Sequence, residues 1–213
     1  MTLTREQFEA GNLALADADP ETVIDWILRR VERPMVTTSF GRHSAVLLDM
    51  VVRRLPNIPV VWVDHGFNTT ETYRFARRLI ERLDLNMQIY APLESPAWIT
   101  ATLGGVPDVG EPLHEDFTRR VKLEPFERAL AELKPDAWLT GIRGEETALR
   151  GSLGRLSMDG RGLLKVAPLI AWRESDCDTY LARRDLPSEP NYFDPTKGLG
   201  NRECGLHRPG VAA

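Results

Sequence analysis

The sequence predicts an α/β fold with a doubly wound, mostly parallel sheet. Two observations predict this class: short apolar runs alternate with helical segments along the chain, and the runs end at Gly or Asp, where a strand passes into a loop. No internal repeat or linker divides the chain, so we expect one domain over residues 1–213. Sheets of this class bind ligands outside the carboxyl ends of their strands.

Two helices are predicted before the first strand. Thr4 and Gln7 have the spacing of a capping box and begin the first helix, and Asp19 before Pro20 begins the second. From Leu186 onward, recurring Pro and Gly leave little regular structure. We therefore divide the chain into N-terminal helices over residues 1–34, an α/β core over residues 35–185 and a mobile C-terminal arm over residues 186–213.

The core is expected to contain four principal strands, because four short runs are rich in apolar and β-branched residues. These runs are Met35–Phe40, Pro59–Asp64, Asn86–Tyr90 and Asp136–Gly141, and Leu163–Val166 is expected to add an edge strand. Helices are predicted over Ala45–Val52, Thr70–Leu83, Pro125–Leu133 and Ser175–Arg184, the last capped by Ser175 and Asp178.

Composition excludes several functional classes. The net charge of −4 gives no overall attraction to nucleic acid or to an anionic membrane. The longest charge-free stretch, Ser95–Pro107, is too short to span a bilayer, and the first residues lack the apolar core of a signal peptide, so we expect a cytoplasmic protein. The two cysteines, Cys177 and Cys204, form no Cys-x-x-Cys pair, and we assign no metal site.

The loop after the first predicted strand is a candidate anion site. Backbone N–H groups and hydroxyls at the start of the next helix can hold phosphate or sulfate, although an ordinary strand-to-helix turn explains the pattern equally well. The loop lacks the lysine and the glycine spacing of a P-loop, which disfavours a conventional ATPase. The candidate binding residues here are Ser39, Phe40, Gly41, Arg42 and Ser44.

Two further loops supply candidates. Asp64 ends the second strand and could accept from a ribose or an adenine, while Gly66 would let a ring approach the backbone, although helix capping is the alternative for Asp64. His65 is interpreted as a surface or hydrogen-bonded loop residue. After the fourth strand, Arg143 and Arg150 could clamp an anion, the alternative being ion pairs with the neighbouring glutamates.

Cys204 is the candidate nucleophile. It lies in a Gly- and Pro-rich segment near Arg202, His207 and Arg208, and positive charge lowers the pKa of a thiol from its free value of roughly 8.5. A free surface cysteine is the alternative interpretation. Cys177 lies at an inward position of the last predicted helix, and we expect it to be a small core residue.

These motifs, in this order, resemble those of the phosphoadenylyl-sulfate reductase family, the assimilatory sulfonucleotide reductases. Five ordered matches form a specific signal, whereas each alone would be weak. They are the binding loop Ser39–Val46, Asp64-His-Gly-Phe67 followed by Glu71-Thr-Tyr73, Lys122-Leu-Glu-Pro125, Pro168-Leu-Ile-Ala-Trp172 and the catalytic signature Glu203-Cys-Gly-Leu-His207.

The resemblance implies an adenine nucleotide alpha hydrolase-like fold and a reaction. The Cys204 thiolate would attack the sulfur of the bound sulfonucleotide, leaving an S-sulfocysteine and adenosine 3′,5′-bisphosphate, and a thioredoxin or glutaredoxin would then release sulfite. Lys122, Arg143 and Arg150 would hold the phosphate and sulfate charge, with Cys204 and His207 in the catalytic signature. The family also makes a homodimer plausible.

The match has departures that bear on the substrate. Where the family has paired arginines the chain has Arg143-Gly144, its following Gln is Glu146, its Asp-Thr-Gly is Asp64-His65-Gly66, and the stretch before the cysteine motif is shorter. Relatives that reduce adenylyl sulfate carry cluster cysteines that are missing here, so we expect no iron–sulfur cluster, no flavin and a preference for 3′-phosphoadenylyl sulfate (PAPS).

Three alternatives to a PAPS-reducing enzyme remain open. Adenylyl sulfate could be the substrate. The chain could be an ATP pyrophosphatase-type adenylyltransferase, although the Ser-Gly-Gly-x-Asp-Ser loop of that class is missing. A nucleotide-binding regulatory protein without activity would explain the shortened tail but not the retained cysteine motif.

Overall fold

The structure is a computed structural model that describes residues 5–197. One sheet of six strands lies at the centre of this part of the chain. The strands are β1 (Pro34–Thr38), β2 (Val60–Val63), β3 (Met87–Tyr90), β4 (Ala137–Leu139), β5 (Leu156–Met158) and β6 (Leu164–Val166).

Helices connect and cover these strands. Over residues 5–197 the α-helices are α1 (Arg5–Leu15), α2 (Pro20–Leu28), α3 (Ser44–Val52), α4 (Thr70–Leu83), α5 (Pro96–Leu103), α6 (His114–Thr118), α7 (Glu124–Leu133), α8 (Ala148–Gly151) and α9 (Glu174–Arg183). A π-helical turn, Arg119–Leu123, joins α6 to α7, and a 3-10 turn, Gly144–Glu146, precedes α8.

The strand order is β3-β2-β1-β4-β6-β5. All neighbouring strands pair in parallel except β5 and β6, which form an antiparallel hairpin. The prediction of a doubly wound, mostly parallel sheet is confirmed. After β1 the chain builds β2 and β3 on one side, and it then crosses to build β4 on the other, so the order reverses between β1 and β4.

Both faces of the sheet are buried. Successive side chains on a strand point to opposite faces, so each strand contributes residues to two apolar clusters. In β1, Met35 packs with Phe126 and Trp138 on the face that α7 covers, whereas Val36 belongs to the larger core cluster on the other face. That larger cluster includes residues of α2, α3, α4 and α9. Two apolar layers therefore hold the strand ends at fixed positions.

Several elements differ from the prediction. Leu163–Val166 was expected at an edge, but β6 lies between β4 and β5, and the unpredicted β5 forms the edge. A three-residue strand leaves too little periodicity in the sequence to be detected. The final helix begins at Glu174 rather than at a Ser175 cap: the Arg173 N–H bonds to Asp176, and the Asp178 carboxylate accepts from His43 instead.

Helix α5 lies in the charge-free stretch Ser95–Pro107, where no helix was predicted. Its first turn is capped by Ser95, whose hydroxyl accepts from the Trp98 N–H at 3.2 Å, and Pro96 fits the first helical position. Gly104 ends the helix in the left-handed conformation. None of the helices within the described range is both long and apolar enough to cross a membrane.

Residues 186–197 contain no helix or strand, as the recurring Pro and Gly predict. The mobility expected of the arm from Leu186 stays a prediction, although residues 186–197 pack against the loop after β1 and the π-helical turn before α7. Glu189, Asp194 and Thr196 are buried, and the Ser188 hydroxyl bonds to the Arg42 carbonyl at 2.9 Å. This segment therefore forms one wall of the space above the strand ends.

The turn after β2 requires glycine at position 66. Gly66 has a φ of +79°, and a Cβ there would lie 2.4 Å from Cγ of Pro96. Gly104 has a similar φ of +76°, but a Cβ there would meet no atom within 4 Å. The two glycines thus share the backbone cost of a side chain in the left-handed region and differ in the steric cost.

We expect Gly66→Ala to lower the free energy of unfolding by about 1–3 kcal/mol more than Gly104→Ala, since only the former overpacks against Pro96. Urea unfolding of both variants measures the difference. Equal losses in the two variants would show that the turn shifts to accommodate the methyl group.

Candidate functional site

A cavity of about 390 Å³ lies above the carboxyl ends of β1, β2 and β4. Its walls come from the loops that follow these three strands, from the π-helical turn before α7, and from residues 189–197. The position is the one that the reversed strand order predicts, because the loops after β1 and β4 diverge there and leave a crevice.

The loop after β1 is anchored by Phe40. Its φ of 52° is unusual for a residue with a side chain, and its ring is fully buried against Trp62 and Phe75, at 4.8 and 6.3 Å between ring centroids. Phe40 therefore faces the core and does not line the cavity, unlike the other candidates of this loop. Those that line it are Ser39, Gly41, Arg42 and Ser44.

The loops after β1 and β4 meet through His43. Arg143 Nη1 donates to His43 Nδ1 at 3.1 Å, and His43 Nε2 donates to Asp178 at 2.8 Å, a bond that lowers the pKa of the Asp178 carboxyl. Arg42 bonds to Asp178 and pairs with Glu174. The chain thus positions Arg143 through His43, which was not predicted to be a site residue.

Arg143 and Arg150 both line the cavity, and both are buried. Each also pairs with an acid of its own loop: Arg143 Nε lies 3.3 Å from Glu145, and Arg150 bonds to Glu146. Both interpretations of these arginines therefore hold: the side chains line the cavity, where they could clamp an anion, and they also form ion pairs with neighbouring glutamates. Any anionic ligand competes with these carboxylates for the two guanidinium groups.

Gly144 follows Arg143 at a position where the backbone leaves no room for a side chain. A Cβ at position 144 would lie 2.9 Å from the carbonyl oxygen of Ile170, to which the Gly144 N–H also bonds at 2.8 Å. The backbone of the 3-10 turn is therefore pressed against the loop after β6. No side chain fits at this position without movement of backbone.

Lys122, which also lines the cavity, forms a buried ion pair with Asp194. Lys122 also donates to Thr196 Oγ1 at 3.2 Å, and Asp194 accepts from the Thr196 N–H at 3.0 Å. Burial raises the pKa of Asp194, but the Lys122 charge outweighs it and lowers the value to about 2. The pair joins the turn before α7 to the C-terminal segment.

The loop after β2 places its residues differently from the prediction. Asp64 does not line the cavity, and its Oδ1 accepts from the Gly66 N–H, Asn68 and the Tyr73 hydroxyl, all within 3.0 Å. Gly66 faces Pro96 instead. His65 is not a surface residue: it is 3% exposed and lines the cavity. Its Nδ1 accepts from the Phe67 N–H at 3.0 Å, whereas its Nε2 is without a partner among the described residues, so the expected hydrogen bonding is found at one ring nitrogen only.

Some lining residues carry no motif in the sequence. Lys197 lines the cavity and makes no ion pair within residues 5–197, and the ring of Tyr192 lies over Gly41, where an added Cβ would be 3.3 Å away. A lysine and a tyrosine in an irregular segment give no periodic signal. Only the position of the segment reveals that they face the strand ends.

Cys177 is fully buried, and burial raises the pKa of its thiol to about 11, so it is an unreactive core residue as predicted. Arg202, Cys204 and His207 lie outside the described residues. The described part of the chain ends at Lys197, on the cavity wall, and Cys204 follows seven positions later in the sequence.

Comparisons with known proteins give a consistent result. The family model described as the phosphoadenosine phosphosulfate reductase domain matches residues 33–206. A phosphoadenosine 5′-phosphosulfate reductase of Alkalilimnicola ehrlichii is 35% identical over 91% of this chain and 88% of its own length. One from a Synechococcus species is 40% identical over 84% of this chain and 78% of its own length.

Solved structures share the fold. A phosphoadenylyl-sulfate reductase from Candida auris, solved as a phosphate complex, has a TM-score of 0.74 at 24% identity and covers 89% of this chain and 91% of its own. An FMN adenylyltransferase from Candida glabrata has a TM-score of 0.58 at 15% identity, with 86% of this chain and 57% of its own covered. The predicted relation to adenine nucleotide alpha hydrolase-like folds is confirmed at the level of the fold.

The ion pair of Lys122 and Asp194 makes stability depend on pH. Because the pKa of Asp194 is lowered from 3.8 to about 2 in the folded chain, its contribution is complete above the unfolded value and is lost as the pH falls toward 2. We expect wild type to lose about 2 kcal/mol more than Asp194→Asn between pH 5 and pH 2.

Urea unfolding at stepped pH values measures this loss, down to the lowest pH at which a native baseline persists. Parallel pH profiles for the wild type and the variant would contradict the lowered pKa. The variant is also expected to be less stable at neutral pH, since it leaves the Lys122 charge buried without its partner.

Proposed function

The chain belongs to the phosphoadenosine phosphosulfate reductase family, and from this premise we propose that it reduces PAPS to sulfite and adenosine 3′,5′-bisphosphate, in assimilatory sulfate reduction. One observation carries the proposal: a cavity at the reversal of strand order, lined by cations from four separate segments of the chain. A nucleotide with several anionic groups needs this kind of site, because each charge can be paired by a different loop.

The site favours binding of the nucleotide across the crevice. Ser44 begins α3, where backbone N–H groups attract an anion, and Ser39 and Gly41 lie in the loop that leads into this helix. Arg42, Arg143, Arg150 and Lys122 line the same cavity. We propose that the arginines bind the phosphates and that Lys122 binds the sulfate end, each exchanging a carboxylate of the chain for an oxyanion of the ligand.

In the proposed reaction the Cys204 thiolate attacks the sulfur of PAPS. A bond forms between Sγ and the sulfate sulfur while the bond from that sulfur to the phosphate oxygen breaks, and adenosine 3′,5′-bisphosphate leaves with the electron pair. Cations around the phosphate stabilise the charge that develops on the leaving group. The enzyme then carries S-sulfocysteine at position 204, with Arg202 and His207 near it in sequence.

An external dithiol completes the cycle. A thioredoxin or glutaredoxin thiolate attacks Sγ of Cys204, sulfite leaves, and the second thiol of the reductant resolves the mixed disulfide. Two electrons pass from the dithiol to sulfur, and Cys204 returns as a thiol. This scheme requires a single reactive cysteine on the enzyme, and the other cysteine, Cys177, is buried with a raised pKa. A homodimer is proposed on the family resemblance.

Replacing Cys204 tests the mechanism. We expect Cys204→Ser to reduce sulfite formation below detection and to bind adenosine 3′,5′-bisphosphate as wild type does, since it removes the nucleophile and little of the cavity. Cys177→Ala is the matched control, because it removes the other thiol from the core. It is expected to retain turnover.

Intact mass and peptide mapping of wild type incubated with PAPS alone provide the direct measurement. A sulfo adduct on Cys204 is expected. An adduct on Cys177, or sulfite production by Cys204→Ser, would overturn the assignment of the nucleophile.

A 3′-phosphate is expected to improve the substrate. It can recruit one or two charge-assisted hydrogen bonds, each worth about 1.5–3 kcal/mol before losses, so kcat/KM for PAPS should exceed that for adenylyl sulfate by about tenfold or more. Both nucleotides are to be compared with one reductant at one ionic strength. Equal values, or a preference for adenylyl sulfate, would reassign the substrate.

We propose that the chain binds no iron–sulfur cluster and no flavin. Four thiolates are the usual ligands of a cluster, and the sequence contains two cysteines, of which Cys177 is buried in the core. Iron and acid-labile sulfide assays on anaerobically purified protein are expected to find substoichiometric amounts of both. A stoichiometric content with a visible charge-transfer band would contradict this.

A further inference from the structure

His65 has one ring nitrogen engaged and the other available. Its Nδ1 accepts a hydrogen bond from the Phe67 N–H at 3.0 Å, which fixes the ring within the loop after β2. Because Nδ1 is the acceptor, the proton of the neutral imidazole is on Nε2. Burial lowers the pKa of His65 to about 4, so this neutral form is present at neutral pH.

The Nε2–H group of His65 is buried and without a partner in residues 5–197, although the side chain lines the cavity. A buried donor that makes no hydrogen bond costs free energy, and native proteins rarely leave one without a purpose. Ligand binding in the cavity would supply the missing acceptor. The ring is 3% exposed, so its orientation is set before any ligand arrives.

The surroundings of His65 indicate which ligand group this is. Lys122 and Asp194 lie close enough to shift the pKa of His65 in opposite directions, and Lys122 lines the same cavity. An oxyanion bound by Lys122 would therefore lie near the Nε2–H donor. The other unpaired atom of the loop, Asn68 Oδ1, is an acceptor and cannot bind an oxyanion, so it has no part in this assignment.

We propose that His65 is a further binding residue of the site, whose Nε2–H donates to an oxygen of the phosphate or sulfate group that Lys122 contacts. The inference deepens the proposed function, and rests on it for the identity of the ligand as a sulfonucleotide. His65 would thus present a hydrogen-bond donor to the cavity from the loop after β2.

Two substitutions separate the donor from the loop contact. In His65→Asn the amide oxygen can still accept from the Phe67 N–H, but nothing reaches the position of Nε2. In His65→Gln the amide nitrogen can occupy the Nε2 position and donate. Loss of a hydrogen bond to a charged group predicts about 10-fold to 100-fold weaker binding by His65→Asn, with much of the affinity retained by His65→Gln.

Calorimetry with three probes identifies the oxyanion. Adenosine 3′,5′-bisphosphate, inorganic sulfate, and PAPS are titrated into each His65 variant, with the Cys204→Ser substitution added for PAPS so that no turnover occurs. Weakened binding of the bisphosphate assigns the contact to a phosphate. Weakened binding of PAPS and sulfate alone assigns it to the sulfate group.

Nitrogen-detected NMR of histidine-labelled wild type gives a readout that a purely structural role would not move. The chain has four histidines, and the His65 signals are identified by their loss in the variants. We expect an Nε2-protonated tautomer whose Nε2–H signal shifts on ligand addition. Wild-type affinity of His65→Asn for all three probes, or weakened affinity without any shift of this signal, would overturn the proposal.

These measurements do not require turnover. If sulfite formation failed while the His65 signal still responded to ligand, the proposed reaction would be wrong and the binding role would stand. If sulfite formed normally and the signal did not respond, the binding role would be wrong and the reaction would stand.

Discussion

Because β1 has β2 on one side and β4 on the other, the chain leaves the carboxyl ends of β1 and β4 in opposite directions. This divergence opens the crevice above the sheet, and every cavity residue is positioned relative to it. Phe40 and Trp62 pack between the sheet and its helices, so the loop after β1 cannot slide along the strand end. The geometry of the site thus depends on the buried core below it.

Charge within the cavity is balanced by the chain itself. Arg42, Arg143, Arg150 and Lys122 all have carboxylate partners, and these partners come from α9, the 3-10 turn and the C-terminal segment. Such pairing keeps several cations buried together without the cost of isolated charges. It also means that ligand affinity is the difference between two sets of ion pairs.

Much of this arrangement could be predicted from the sequence because it depends on local patterns. Apolar runs ending at Gly or Asp predict the parallel strands, and cations placed just after a strand predict Arg143 and Arg150 at the cavity. Asp64 and Gly66 were assigned to ligand binding, whereas the structure uses them to shape the turn. His43, His65 and Asp194 could not be identified, since their roles arise from burial and from contacts between residues far apart in sequence.

The close approach of Gly144 to the Ile170 carbonyl restricts which residues can replace this glycine. Any side chain at position 144, an arginine included, requires the loop after β6 to move first. The effects of a substitution at position 144 and of a change in that loop are therefore expected to be coupled rather than additive.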